Sequence, residues 1–194
     1  MNKYISLFSF IFILTLMGCS GGDSETQSQD QTGEQETAAQ STNDNVRTID
    51  IIGIDKLKFV VAEQQEGLQT GEEVSVNGTT YYVLQGINAE AGEELTIRLK
   101  TISNLPPQAM SHNWLMLKLN ADAKAFNSAS IQAKDNDYVA PEMEDQVIID
   151  TGLVGNEETK SITFNAPEQT GEYDYICTFP GHFTAGMKGV LTVE

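Results

Sequence analysis

Residues 175–189 read YICTFPGHFTAGMKG, and this stretch decides how the whole chain is interpreted. It places a thiol (Cys177), an imidazole (His182) and a thioether (Met187) on one short segment. Alternating strand-like residues precede the segment and another strand-like run follows it, while proline and glycine within it favour turns. The three donor groups are therefore predicted to lie in a loop at the rim of a β-sheet, rather than along a helix face.

A fourth donor can come from His112, which is the only other histidine in the chain. It stands at the head of HNWLMLKL (112–119), which is predicted to be a strand. Thiolate, imidazole and thioether form a soft ligand set that suits copper. Two imidazoles and a thiolate with a more distant thioether are the composition of a blue-copper electron-transfer site.

Three motifs carry a resemblance to the azurins and auracyanins, which are small cupredoxins: SHNWL (111–115), CTFPGH (177–182) and MKG (187–189). The four-residue gaps on both sides of His182 are more similar to those of auracyanin than to those of azurin. The resemblance extends over roughly residues 46–194, is strong from Asn104 onward and is weak before it. It implies four copper ligands: His112, Cys177, His182 and Met187.

The resemblance also implies groups that surround the ligands. Backbone N–H groups of Asn113 and Phe179 would point at the Cys177 sulfur, and the Asn113 side chain would tie the two ligand segments together near Thr178. The carbonyl of Ser111, a residue that is glycine in azurin, would lie on the axial side opposite the thioether.

Each of these residues also has an ordinary structural interpretation. A cysteine in a sheet is commonly a small buried hydrophobe, a histidine beside a tryptophan a core residue, and a methionine a gap filler. Those interpretations do not explain why the CTFPGH and HNW motifs occur in one short chain, so the copper interpretation is favoured.

The N-terminus has the features of an export signal. Residues 1–18 contain one lysine and then an apolar run that is too short to span a membrane, which is typical of a signal peptide. The sequence Leu16-Met-Gly-Cys19 resembles a bacterial lipoprotein cleavage site, and Cys19 would carry the lipid. The alternative is an ordinary signal peptide followed by a free cysteine.

Residues 19–45 are expected to form a lipidated cysteine followed by a disordered acidic tether. Positions 20–45 contain no aromatic residue and no Val, Ile, Leu or Met, so they cannot bury enough surface to fold. The chain has two cysteines, and lipidation and copper would use one each. A disulfide between Cys19 and Cys177 is the competing account, and it would abolish both functions.

The remainder, residues 46–194, is predicted to be one all-β domain, a Greek-key β-sandwich (cupredoxin) with a small helical flap. Asn77-Gly78 between β-branched and aromatic residues predicts a hairpin. Residues 121–133 predict the helix, and residues 62–86 depart most from the family and have no functional account. The predicted strands are 47–52, 56–61, 94–100, 112–119, 147–149 and 161–164, with the hairpin over 74–83 and the two strands that flank the copper loop.

Charge and histidine content limit the function classes. The formal net charge of −17 argues against binding to nucleic acid. With two histidines in the chain, the His-rich second copper site of multicopper oxidases and copper nitrite reductases cannot be built, so no enzyme activity is expected. The favoured function is one-electron transfer at a single type 1 copper ion, and the alternative is copper storage or delivery.

The expected partners are redox proteins: a cytochrome, a quinol-oxidising complex or a terminal reductase. The chain would be exported and lipid-anchored to a bacterial membrane, facing the periplasm or the cell exterior. The ring edge of His182 is expected at the surface, within an apolar docking patch that includes Pro107, Met110 and Phe183. The segment from Thr178 to Gly189 carries no carboxylate, which would permit close approach of a partner.

Overall fold

The computed structural model describes residues 46–194. The predicted signal peptide, the lipidation site at Cys19 and the tether lie outside the described residues. Within the described part, no helix is both long enough and apolar enough to cross a membrane.

The described residues form ten strands, one α-helix and two short 3-10 helices. The α-helix, α1, is Ala123–Ser130, and the 3-10 helices are Lys134–Asn136 and Pro141–Gln146. The strands are β1 Arg47–Ile54, β2 Lys58–Val61, β3 Leu68–Val76, β4 Thr79–Ala89, β5 Glu94–Ile102, β6 Leu115–Leu117, β7 Val147–Asp150, β8 Thr159–Asn165, β9 Gly171–Ile176 and β10 Lys188–Val193.

The strands are hydrogen-bonded in the order β7-β6-β9-β10-β4-β2-β1-β5-β8, and β3 pairs with β4. Two pairs, β1 with β5 and β10 with β4, are parallel, and the other pairs are antiparallel. Parallel neighbours require crossover connections, so the topology is not a simple meander. The predicted all-β sandwich with a small helix is confirmed.

The larger hydrophobic core is formed by buried side chains from strands at both ends of this order. It combines Ile51 of β1 and Leu99 of β5 with Trp114, Tyr175 of β9 and Leu191 of β10, all with essentially no exposed surface. The Trp114 and Tyr175 rings stack with centroids 5.2 Å apart. Because Trp114 and Tyr175 each stand two residues from a predicted ligand, this core supports the metal centre directly.

One predicted strand differs from the observed one, and the predicted Asn77-Gly78 hairpin is confirmed. The strand expected over residues 112–119 is reduced to β6, and His112 forms an isolated bridge with Val154 instead. Every side chain from Met110 to Leu117 is buried, so this run lacks the alternation of a half-exposed strand. The segment at 62–86 forms much of the β3–β4 hairpin, whose turn at Asn77 and Gly78 has positive φ at both positions, as a two-residue type I′ turn requires.

The flap, which consists of α1 and the two 3-10 helices, contributes to a second, smaller core. Helix α1 begins at Ala123, two residues later than predicted, because Asp122 caps it: its side chain accepts hydrogen bonds from the backbone N–H groups of Lys124 and Ala125. The helix ends at Ser130, before the predicted end at residue 133. The cluster comprises Leu115, Leu117, Phe126, Val139, Ile176 and Phe183. The flap therefore packs directly against the loop that carries His182.

Candidate metal centre

The Cys177 loop connects β9 to β10 and is held by its own backbone hydrogen bonds. The Met187 N–H donates to the His182 carbonyl at 3.0 Å, and the Cys177 N–H donates to the Met187 carbonyl at 3.1 Å. Two glycines in the loop have positive φ, +87° at Gly181 and +91° at Gly186, which other residues rarely adopt. The positions of the three donor-bearing residues are thereby fixed relative to one another.

The second ligand segment brings His112 against this loop. Its Nδ1 atom lies 3.1 Å from Nδ1 of His182, and Nδ1 of His182 lies 3.3 Å from Sγ of Cys177. One ligand atom of each of the three residues lies within 4.8 Å of those of the other two, and all three side chains are buried. Among residues 46–194 this is the one group of His, Cys, Asp or Glu side chains that could hold a metal ion.

Burial keeps all three groups neutral in the absence of a cation. It lowers the pKa of His112 to about 3, with a further contribution from His182, and lowers that of His182 to about 4. Burial also raises the pKa of the Cys177 thiol to about 12. Two neutral imidazole nitrogens and one thiol that converge in a buried space match the donor set of a copper site.

Met187 is fully buried in the main core, together with Cys177 and Phe179. Its backbone bonds to Cys177 and His182 place it at the end of the same loop. Its side chain is buried in the same core as Cys177, and the assignment of its thioether as a copper donor stays a prediction.

Hydrogen bonds surround the sulfur of Cys177. The backbone N–H groups of Asn113 and Phe179 bond to it and lower its pKa, against the larger effect of burial. The Thr178 N–H donates to Asn113 Oδ1 at 2.8 Å, and Asn113 Nδ2 donates to Thr178 Oγ1 at 2.9 Å. Ser111 is buried, and its hydroxyl donates to the Pro107 carbonyl at 2.8 Å. Asn113, Thr178 and Phe179 make the contacts with the Cys177 segment that were expected from the sequence, while the axial position of the Ser111 carbonyl stays a prediction.

Gly53 of β1 was missed by sequence analysis. The His112 ring rests on its backbone so closely that a Cβ atom at position 53 would lie 2.6 Å from Cγ and 2.9 Å from Cβ of His112. A glycine inside a strand often marks such a close approach, and this was the available signal. Gly53 therefore limits where the His112 ring can stand.

The predicted docking patch is only partly at the surface. Pro107 is exposed, but Met110 and Phe183 are 8% and 9% exposed, and His182 is 2% exposed. The expectation of an exposed Phe183 is wrong, because Phe183 packs into the second core. The expected exposed edge of His182 is not found either, since that residue is 2% exposed. The apolar residues of the two ligand segments that are exposed are Leu105, Pro106, Pro107, Ala109, Pro180 and Ala185.

Residues 69–194 match the family model described as copper binding proteins, plastocyanin/azurin family. The chain belongs to this family. Among curated relatives, azurin-1 of Alcaligenes xylosoxydans xylosoxydans is 38% identical over 101 residues, which cover 51% of this chain and 77% of that protein. Auracyanin-A of Chloroflexus aurantiacus is 34% identical over 126 residues, 64% of this chain and 70% of that protein.

The fold agrees with this assignment. The solved structure of auracyanin A, a "blue" copper protein from Chloroflexus aurantiacus, superposes with a TM-score of 0.57 and 28% identity, covering 77% of this chain and 99% of that one. The predicted resemblance to azurins and auracyanins and the predicted copper cofactor are confirmed. This member of the plastocyanin/azurin family is thus a copper cupredoxin, and cupredoxins are carriers that transfer electrons to redox partners through copper.

Proposed function

We propose that the chain is a one-electron carrier with a mononuclear type 1 copper site. In this proposal His112, Cys177 and His182 would hold the copper with their ring nitrogens and thiolate, and the Met187 thioether would be a weaker fourth donor. The observation that supports it most strongly is the convergence of three buried donor atoms within 4.8 Å of one another. When bound, copper supplies the exchange of one electron between its two oxidation states.

The chain's contribution is to hold the donors so that little rearrangement accompanies that exchange. The loop bonds between Cys177, His182 and Met187 fix one side of the site, and Asn113 connects it to the His112 segment through Thr178. Cys177 loses its proton when it becomes a ligand, since the metal-bound form is the thiolate. The N–H groups of Asn113 and Phe179 then stabilise the negative sulfur.

Storage or delivery of copper is the alternative, and two observations disfavour it. The three donors that converge are 0–2% exposed, whereas a delivery site must release its metal to a partner. The described residues also contain one such cluster rather than several. An enzyme with a further His-rich copper site is disfavoured because both histidines of the chain are already used.

The proposed location rests on the signal-like sequence of residues 1–19, and the proposed partners rest on the exposed apolar surface. We propose that this chain is exported and anchored to a membrane by a lipid on Cys19. Its partners would be a cytochrome, a quinol-oxidising complex or a terminal reductase. They would dock on the exposed apolar residues of the two ligand segments, such as Leu105, Pro107 and Pro180, because electron-transfer complexes use small transient interfaces.

Copper titration of the whole chain tests the site. The wild type is expected to take up one Cu(II) per chain with intense visible absorption from the thiolate, and a redox titration should follow a one-electron curve. Cys177→Ser should lose the absorption and keep the fold, while the matched control Cys19→Ser should keep both. An unchanged visible spectrum in Cys177→Ser would refute the ligand assignment.

A further inference from the structure

Asp150 ends β7 with a partly buried carboxyl group that the proposed site does not use. We infer that Asp150 sets the reduction potential of the copper site, acting on Cys177 through the Asn113 side chain and through its own negative charge. This inference rests on the proposed function. Asp150 is a positioning residue, since it touches no ligand in the described contacts and acts through Asn113.

Strand register brings Asp150 to this place. β7 pairs with β6 so that Asp150 stands opposite Leu115. The chain beyond it stays against the other ligand segment: Thr151 exchanges hydrogen bonds with the Trp114 backbone, and Val154 forms the bridge to His112. The Asp150 side chain is therefore held beside the residue that follows His112.

The Asn113 amide connects the carboxylate to the Cys177 loop. Asn113 Nδ2 lies 3.3 Å from Oδ1 of Asp150 and 2.9 Å from Oγ1 of Thr178, and Asn113 Oδ1 accepts the Thr178 N–H at 2.8 Å. Asn113 and Thr178 are fully buried. Hydrogen bonds in such a chain polarise one another, so an ionised Asp150 strengthens the hydrogen bond that the Thr178 N–H donates to Asn113 Oδ1.

The charge of Asp150 also reaches the sulfur through space. Its field is one of the causes that raise the pKa of the Cys177 thiol, after burial, so a negative charge at Asp150 disfavours a further negative charge at the sulfur. The same field favours added positive charge at the site. Because the oxidised site carries one more positive charge than the reduced site, an ionised Asp150 stabilises the oxidised state and lowers the potential.

Mild acid is expected to remove this charge. Burial raises the pKa of Asp150 to about 6, and Asp137 raises it further, while the Gly152 backbone, Asn113 and Lys160 lower it. Asp150 also lines a cavity of about 310 Å³ with Asp135, Asp137 and Glu144, and no Lys or Arg lines that cavity. The potential should therefore be level above about pH 7 and rise as the pH falls through about 6.

Potentiometric titration of the copper-loaded chain tests this. At pH 8, Asp150→Asn is expected to shift the reduction equilibrium toward the reduced form by roughly threefold to tenfold, which is ~30–60 mV for a one-electron couple. It should also flatten the rise between pH 7 and pH 5. Asp137→Asn is the matched control: asparagine tolerates its left-handed φ of 49°, and Asp137 has no described bond to Asn113, so a change below twofold is expected.

The copper-free chain supplies an independent measurement. In ¹⁵N NMR spectra, the Thr178 backbone amide and the Asn113 side-chain amide should shift with a midpoint near pH 6 in the wild type, and neither should titrate there in Asp150→Asn. A merely structural role for Asp150 would not produce a titration that this variant removes.

The outcomes separate this inference from the proposed function. A wild type without the thiolate absorption would refute the proposed function. A blue wild type whose potential at pH 8 equals that of Asp150→Asn would overturn the role of Asp150 alone. If Asp150→Asn does not fold, the wild type decides, since a potential that is level from pH 8 to pH 5 overturns the inference and a rise below about pH 6 supports it.

Discussion

The two sides of the metal centre are built in different ways. The Cys177 loop carries three donor groups on one continuous segment and is closed by bonds among its own residues. The opposite side, which bears His112, is assembled from strands far apart in sequence: Gly53 lies under the ring, Val154 pairs with its backbone, and Asp150 contacts the next residue. The geometry of the Cys177 loop depends on local sequence, and that of the His112 side depends on strand register. Substitutions on the two sides should therefore disturb the site in different ways.

Acid should distinguish the two histidines in the copper-free chain. Burial lowers the pKa of His112 to about 3 and of His182 to about 4, against an unfolded value near 6.5. The stability that each neutral imidazole contributes is therefore present above pH 6.5 and is lost as the pH falls toward the folded pKa, by up to roughly 3 kcal/mol per histidine at pH 4. Urea unfolding at pH 7 and pH 4 measures it.

The His112 side, which depends on strand register, should lose more unfolding free energy in acid than the Cys177 loop does. His112→Gln should reduce the loss of unfolding free energy between pH 7 and pH 3 more than His182→Gln does, because His112 has the lower pKa. Asp150 is present in all three chains, so its opposite contribution, which is lost as the pH rises through about 6, cancels in the comparison. Equal acid sensitivity in the wild type and in His112→Gln would contradict the burial argument.

Gly53→Ala changes the His112 side of the site without replacing a ligand. The new methyl group would stand 2.6 Å from His112 Cγ, so the ring must move away from the other donors. Overpacking of this kind costs about 1–3 kcal/mol, and copper affinity should fall by about tenfold to 100-fold. Competition with a copper chelator measures the affinity.

Gly71→Ala is the control for that variant. Its new methyl group would meet the Gln85 side chain, which is flexible and can move away. It should therefore bind copper as the wild type does. If the two alanine variants bound copper equally well, His112 would not depend on Gly53.

Met187→Leu changes the loop side without disturbing the backbone. The variant should keep the blue colour and shift the reduction equilibrium toward the reduced form by about tenfold, ~60 mV, because a weak donor is lost and the site becomes more apolar. Optical redox titration measures it. A lower potential, or loss of copper, would mean that Met187 is not axial or is a stronger ligand than proposed.

The sequence predicts features that depend on local patterns and misses those that depend on contacts between distant residues. The alternation in residues 94–100, the Asn77-Gly78 turn and the CTFPGH motif are local patterns, and each predicted the structure that forms there. The contact of Asp150 with Asn113 joins residues 37 apart and could not be read from spacing. Phe183 was placed at the surface because no local pattern shows that the flap buries it.

The burial of Phe183 changes the test of the docking surface. Phe183→Asp would place a charge in the second core and disrupt the packing of the flap against the Cys177 loop, so it cannot report on docking. Leu105 is 43% exposed and belongs to the segment that leads to His112, so Leu105→Asp adds the same charge without disturbing packing. Electron self-exchange should slow by about threefold to tenfold from repulsion and desolvation, with an unchanged spectrum.

Gln64→Asp is the control. Residue 64 is exposed between β2 and β3, so this variant adds equal charge outside both ligand segments and should leave the rate nearly unaltered. Equal slowing in both variants would show that net charge, rather than the apolar surface beside His112, governs the encounter. No slowing in Leu105→Asp would place the route of the electron on another face.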